Sequence, residues 1–575
     1  MKTPIRIPIL QTLREYDTRK AVSDLKSALN VALLDFPQGM AYAMIAGLPY
    51  FMGIYASAVA AFLGPVFASS RHIMLGPTNA IAVMCLSTFL GLGLNQEQAI
   101  IVMPLLLLMV SAFMIIGSML KLANLVNYVS RTVITGYITA AAFLIIIKQI
   151  KYVFGIEVLS TSTFAAALHQ TLLHLHEIDL NSTLVAASTI LIFLLFKRLT
   201  PKIPAVASSL AIMYGVSLIF EHYSVDIVTL GSSLDSTPAW KLTLPSISLD
   251  LIGKLAPGAF AISFLSLLES SSITKTLASQ SGDTVDTNQQ MMSMGIANLG
   301  CSLFGGMPIS GSLTRSTLNY KSGAKTPVSS MFSALILASA FLLLAPHVGK
   351  IPQASLAALV IMVGVSLFNR KNIRFALGTT RQDLIVFALT FGTGLIFPLN
   401  TSIFIGVIAS MLLFIQKAGR PDLVEYSLGS NGLTNTPYKK NRGQIALLHV
   451  EGDLFFASSD LFLNQARNLS QNKCLKVIVL RLRNAHNLDA TCAMALEQFV
   501  QYTKEKKRNL IITGAHREVY EILDKSGLLE LIGKANVFKD DPNNPTLSTS
   551  LALKRATQLV GDELELKLFV SDKSS

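Results

Sequence analysis

Fourteen apolar stretches fill the sequence between Ala21 and Ala418, and they limit what this chain can become. Backbone amides and carbonyls that enter hydrocarbon need partners within their own segment, so such stretches must be helices. They fall at 21–48, 49–69, 78–94, 98–120, 130–153, 181–199 and 204–221. A second set follows at 255–279, 287–305, 310–322, 328–346, 352–369, 382–398 and 400–418. The polar segment from His222 to Asp250 separates seven from seven. An odd number of spans per half puts the halves in opposite orientations, which makes an inverted repeat. The first span is interrupted at Asp35-Phe36-Pro37-Gln38-Gly39, where a helix break is expected.

The third span of each half differs from its neighbours. Each is short for a bilayer that needs about 20 residues, and each follows glycine and proline: Gly76-Pro77 in one case, Gly305-Gly306-Met307-Pro308 in the other. Glycine and proline stop a regular helix, and Ser310-Gly311-Ser312-Leu313-Thr314-Arg315 can start one. A helix that begins inside a membrane presents unpaired N–H groups and a positive dipole end at mid-depth. Such an end attracts anions, and a matched pair of them in two halves is the pattern of a transport site.

Charge supports this layout. Only 14% of the residues are charged and 51% are hydrophobic, against about a quarter charged in soluble proteins. The net charge of +13 does not call for nucleic acid, because lysine and arginine sit in short loops. With the N-terminus inside, the inner loops hold Arg71, Lys121, Arg131, Lys197, Arg198, Lys202, Lys275, Lys321, Lys325, Arg370, Lys371, Arg374, Arg381, Lys417 and Arg420. The outer loops hold Lys148, Lys151, Lys241, Lys254 and Lys350. This asymmetry puts both termini in the cytoplasm of a multi-pass inner or plasma membrane protein. Lys148 and Lys151 run against it. The polar, basic stretch from Met1 to Lys26 lacks a signal peptide's apolar core.

Glu269 is a carboxylate within the eighth span, a costly placement unless it is paired or protonated. It reads as the group that binds a coupling proton or Na⁺, with a structural pair to Arg315 or Lys275 as the competing reading. Asp35 ranks lower and is expected toward a gate or dimer face. Arg315 is either electrostatic support for an anion or an interfacial arginine. His169, His174, His176 and Glu177 read as surface residues of an outer loop, so no metal is expected. Cys85, Cys301, Cys474 and Cys492 have no metal spacing and read as packing thiols. No cofactor motif or catalytic constellation is evident, and no enzyme is expected.

After Arg420 the pattern changes to alternating strands and helices, a small α/β domain. Strands are expected at Gln444–Val450 with Asp453–Phe456, at Leu475–Leu482 and at Asn509–Gly514; helices at 458–470, 489–506, 516–526 and 527–533. The expected division is an N-terminal segment at 1–20, a transmembrane domain at 21–420, a linker at 421–442, the α/β domain at 443–556 and a tail at 557–575.

Pro37-Gln38-Gly39-Met40-Ala41-Tyr42-Ala43 with Ala46-Gly47-Leu48-Pro49 resembles the first-helix signature of the SulP family, the sulfate permeases and related anion transporters. Ser69-Ser70-Arg71-His72 through Gly76-Pro77 resembles that family's entry to the third helix. Ser310 to Ser316, with Ser322-Gly323-Ala324-Lys325-Thr326, resembles its tenth. The C-terminal unit is similar to its STAS domain. There, Asn487-Leu488-Asp489-Ala490-Thr491-Cys492 stands where regulatory STAS proteins carry a phosphorylated Asp-Ser-Ser/Thr-Gly, and only Thr491 remains as acceptor.

The resemblance implies an α-helical polytopic membrane protein with core and gate subdomains, embedded in lipid as a homodimer. It implies an inorganic anion held by Gln38 and Tyr42, by Thr78, Asn79 and Ala80, and by Ser312, Thr314 and Arg315. Glu269 stands near where cation-coupled members carry an acidic residue. The expected activity is alternating-access transport of sulfate, coupled to H⁺ or Na⁺. Bicarbonate transport and an uncoupled channel or exchanger are the alternatives, a STAS-based sensor and a nucleobase permease the more distant ones.

Overall fold

The computed structural model describes residues 7–124, 129–158, 161, 163–200, 204–223, 227–231, 242–245, 247–419, 422–429, 432–434, 444–471, 474–485, 488–544 and 546–561. Lys202, Lys241 and Arg420 of the charge tally lie outside these residues.

A helix occupies every expected span. The first half holds α1 (Thr18–Ile45), α2 (Tyr50–Phe67), α3 (Asn79–Gly91), α4 (Gln96–Met119), α5 (Arg131–Phe154), α6 (Leu180–Leu199) and α7 (Ala205–His222). The second holds α8 (Leu249–Ser281), α9 (Thr287–Leu303), α10 (Leu313–Lys321), α11 (Val328–Val348), α12 (Gln353–Ser366), α13 (Arg381–Ile396) and α14 (Leu399–Ala418). At 13 and 9 residues, α3 and α10 span only about 20 and 14 Å, roughly two thirds and half of a hydrocarbon core. Side-chain caps fix many of the starts: Asp17 accepts from Lys20 N at 2.7 Å, and Asn95 closes a capping box with Gln98.

The expected break in the first span does not occur. α1 runs through Pro37 as one helix. A proline removes one amide donor, a loss that packed helices in a membrane tolerate. Around it α1 lies against α2 almost backbone to backbone, since a Cβ on Gly53 would fall 1.9 Å from the Gly39 carbonyl oxygen. Small residues allow that approach where lipid supplies no hydrophobic drive between helices.

The helices form two bundles. In one, α9 packs along α2 and α4, α11 along α1 and α2, and α8 along α3 and α4. In the other, α5 packs along α12 and α13, α6 along α7 and α12, and Gly406 of α14 sits against Thr390 and Val133. Within the first bundle, against α2 and α8, the entries to α3 and α10 meet. β1 (Leu75–Gly76) and β2 (Ser310–Gly311) pair antiparallel, Leu75 opposite Gly311 and Gly76 opposite Ser310. Equivalent segments of the two halves are thus joined head to head, the relation an inverted repeat requires.

The second unit starts at Met411. Its sheet has the order β4-β3-β5-β6-β7-β8: β3 (Asp422–Gly429), β4 (Gly432–Thr434), β5 (Ile445–Glu451), β6 (Val477–Asn484), β7 (Asn509–Ala515) and β8 (Val537–Lys539). β5 to β8 are parallel, and β3 runs antiparallel to β5. The segment expected as a linker therefore supplies two strands; 420–421, 430–431 and 435–443 lie outside the described residues. Asp453–Phe456 is a turn rather than a strand. Helices α15 (Ser459–Leu469), α16 (Ala490–Glu505), α17 (Arg517–Lys525) and α18 (Leu528–Ile532) bury Phe462, Leu496, Phe499 and Leu523 against one face. α19 (Leu547–Val560) covers Leu447, Val479 and Ile511 on the other. This helix runs past the expected domain end at 556, because Leu559 and Val560 still pack against that core. Residues 562–575 of the expected tail, and 1–6, are not among those described.

Candidate functional site

Two strands of two residues cannot satisfy their own polar groups, so neighbouring side chains do. On α8, the Ser266 hydroxyl donates to Ile309 O at 3.1 Å, and Ser270 Oγ accepts from Gly311 N at 2.7 Å. Asn298 of α9 accepts from Ile309 N at 3.2 Å, and Ser316 of α10 from Met74 N at 2.8 Å. Ser312 N donates to Met74 O at 3.0 Å. Buried backbone groups away from water need such partners.

The two half-helices start from this platform. Thr78 is the N-cap of α3 and accepts from Ile81 N; Ser312 is the N-cap of α10 and accepts from Arg315 N. Thr78 has a second bond: its hydroxyl donates to Glu269 Oε2 at 3.1 Å. Glu269 lies between Ser266 and Ser270 on α8, which carries it to the mouth of α3. Its competing pairing with Arg315 is not made.

Arg315 takes the supporting position, and Asp35 is placed differently from expectation. The Arg315 side chain is fully enclosed and forms an ion pair with Asp35 of α1, itself only 1% exposed. The guanidinium also donates to Ser57 Oγ of α2 at 3.3 Å and to Pro77 O at 2.5 Å. It therefore stands behind the platform, bracing the residue before the Thr78 cap, and does not line the gap. Asp35 turns inward to it rather than toward a gate or dimer face. Gly76 leaves room for the guanidinium, since a Cβ there would come within 2.6 Å of Arg315 Nη1.

The other expected residues divide. Tyr42 and Gln38 sit one turn apart on α1. Tyr42 is buried within electrostatic reach of Glu269, and Gln38 Oε1 is buried with no hydrogen-bond partner among the described residues. Asn79 is half-buried, and its Oδ1 accepts from Ala80 N at 2.8 Å. Ala80 is buried, whereas Thr314 is exposed on the first turn of α10.

Two residues were missed. Tyr137 of α5, fully buried, donates from its hydroxyl to Ala80 O at 3.0 Å and so ties the second bundle to the first turn of α3. A tyrosine in an aliphatic span must find a partner for its hydroxyl, which was the available signal. Asp24 of α1 is fully buried and accepts from Lys325 N at 2.7 Å and Thr326 N at 3.1 Å, fixing the turn after α10.

Elsewhere, His174 is bonded to Gln170 O and His176 lies 3.5 Å from Glu177. Among the described residues no three His, Cys, Asp or Glu side chains are placed to hold a metal ion. Cys85, Cys301 and Cys492 are buried, but Cys474 is exposed, contrary to its reading as a packing thiol. In the STAS-like unit Asp489 caps α16 and accepts from Cys492 N at 2.9 Å. Thr491 is exposed, and burial pushes the Cys492 thiol up to about 11. Asn487 lies outside the described residues.

Sulfate transporter 4.1, chloroplastic, of Arabidopsis thaliana is 26% identical over 543 residues, covering 90% of this chain and 78% of its own. The structure of the murine Solute Carrier 26 family member A9 anion transporter in its inward-facing state superimposes with a TM-score of 0.84. The two share 20% identity, over 96% of this chain and 94% of that one. The transmembrane domain of the cyanobacterial bicarbonate transporter BicA gives 0.58 at 19% identity, over 69% of this chain and 98% of its own. These likenesses show an SLC26-type fold, fourteen membrane segments in a seven-plus-seven inverted repeat. The STAS domain family matches residues 436–541. Residues 22–390 match the Sulfate permease family, and the chain belongs to that family.

Proposed function

We propose that this protein is a secondary active transporter of a small inorganic anion, with sulfate as first substrate, working by alternating access between its two bundles. The observation that carries this reading is the meeting of the α3 and α10 N-termini with Glu269 bonded to the α3 cap. Arg315 and Asp35 cancel one another, so the gap keeps two helix ends worth about half a positive charge each against one carboxylate. That sum is near zero. An anion gains net attraction only when Glu269 is neutralised, by a proton or by a bound Na⁺. This supports symport over an uncoupled channel or exchanger. Gln38, Tyr42, Thr78, Asn79, Ala80, Ser312 and Thr314 are the proposed ligand-side residues, with Arg315 as support. The name of the Arabidopsis relative favours sulfate, and bicarbonate is the next candidate. A homodimer with both termini cytoplasmic belongs to the same reading.

The test is uptake of sulfate, bicarbonate and chloride into proteoliposomes under imposed pH and Na⁺ gradients. Gradient-driven, saturable sulfate uptake is expected. Currents that need no gradient coupling would instead identify a channel.

A further inference from the structure

The two lysines that contradict the charge asymmetry line adjoining cavities. One, about 310 Å³, lies between the α1–α2 turn, the α3–α4 turn and the end of α5, and includes Asn95, Gln96 and Lys151. The other, about 80 Å³, opens beside it and includes Lys148, Gln149 and again Lys151. Among the described residues, no aspartate or glutamate lines either cavity. Both cavities share Met44, Gly47, Leu86 and Leu90, so they sit where the first bundle meets α5 of the second.

The cations are held at this seam. Lys148 Nζ donates to Thr161 O at 2.5 Å, and Lys151 Nζ lies 4.7 Å from the Tyr152 ring centre. Gln149 is 97% buried, and its Oε1 has no partner among the described residues. An amide oxygen only accepts, so it takes a donor such as water, and the two ammonium groups are the anion-binding charges of the seam.

We propose that this seam is a peripheral anion site on the face of the membrane away from the chain termini, where Lys148 and Lys151 hold a small inorganic anion before it reaches the half-helix gap. The 13 residues of α3 put the two sites about 20 Å apart. At that distance the lysines make no contact with Glu269, so they raise the anion's encounter rate without entering the coupling step. The site's purpose rests on the anion-transport reading; its test does not.

Gln96 is exposed and lines the larger cavity, so Gln96→Cys in a Cys474→Ser background provides a reporter thiol. Its labelling in intact cells is compared for anionic and cationic methanethiosulfonates of similar size. Replacing Lys148 and Lys151 by Gln should lower the anionic-to-cationic rate ratio about 5-fold, and replacement of both by Arg should keep it. An unchanged ratio, or a reporter that outside reagents cannot reach, overturns the proposal. Sulfate uptake is measured alongside. The Gln pair should raise KM about 3- to 10-fold with Vmax unchanged. A falling ratio in a protein that moves none of sulfate, bicarbonate and chloride would defeat the transport reading and leave the site standing.

Discussion

Arg315 and Asp35, 280 residues apart, form an ion pair sealed between α10 and α1. The same guanidinium holds the Pro77 carbonyl, so one side chain connects α10, α1 and the entry to α3. The arginine braces the platform on which both half-helices start, and its charge is neutralised there.

Removing one partner strands a buried charge, at a cost of about 3–5 kcal/mol. Arg315→Ala and Asp35→Asn should each lower the unfolding temperature in detergent by fluorescence-detected gel filtration and abolish sulfate uptake. The double variant Asp35→Asn/Arg315→Gln should regain much of the stability. If Arg315→Ala were as stable as the wild type, the bracing role would be wrong.

Glu269→Gln keeps an acceptor for the Thr78 hydroxyl and removes the charge that the coupling cation neutralises. The variant should remain folded, and its uptake should lose dependence on the pH or Na⁺ gradient. Retained gradient dependence would sink the coupling proposal.

Tyr137→Phe deletes the hydrogen bond to Ala80 O, worth about 1 kcal/mol, without changing shape. That bond ties two bundles proposed to move against each other. The expected result is a change in turnover of about fivefold with stability nearly unchanged, read from initial rates and thermal melts. Identical rates would show that the bond persists throughout the cycle.

In the STAS domain, burial lowers His449 below its ordinary 6.5, aided by Arg481 and opposed by Glu451. The unfolded chain then binds the extra proton first. Stability from neutral His449 is complete above pH 6.5 and is lost as the pH falls through the lower folded value. Hydrogen exchange of β5 and β6 peptides should show acid opening in the full-length protein, weakened in His449→Gln. Equal opening in both would place the acid sensitivity elsewhere.

Local signals carried much of the fold. Hydropathy located the helices, because each membrane span must satisfy its own backbone. Glycine and proline marked the two half-helices, and Thr78 and Ser312 stand at their caps because a cap is a matter of one or two residues. The parallel strands were legible for the same reason, in short apolar runs. β3 was not, because Asp422, Glu425 and Ser427 interrupt its apolar residues and its place is set by pairing with β4 and β5 rather than by an apolar run. Pro37 misled, because neighbouring helices rather than α1's own residues keep α1 continuous.

By itself, then, the sequence determined the spans, the inverted repeat, the half-helix pair and a carboxylate on α8. Only the tertiary structure decided which charge faces which. It paired Arg315 with Asp35 and left Glu269 at the cap of α3; it also brought Tyr137 to Ala80 and Asp24 to the turn after α10. Buried polar groups are satisfied by proximity in space, and chain spacing carries no record of which groups the packing will bring together.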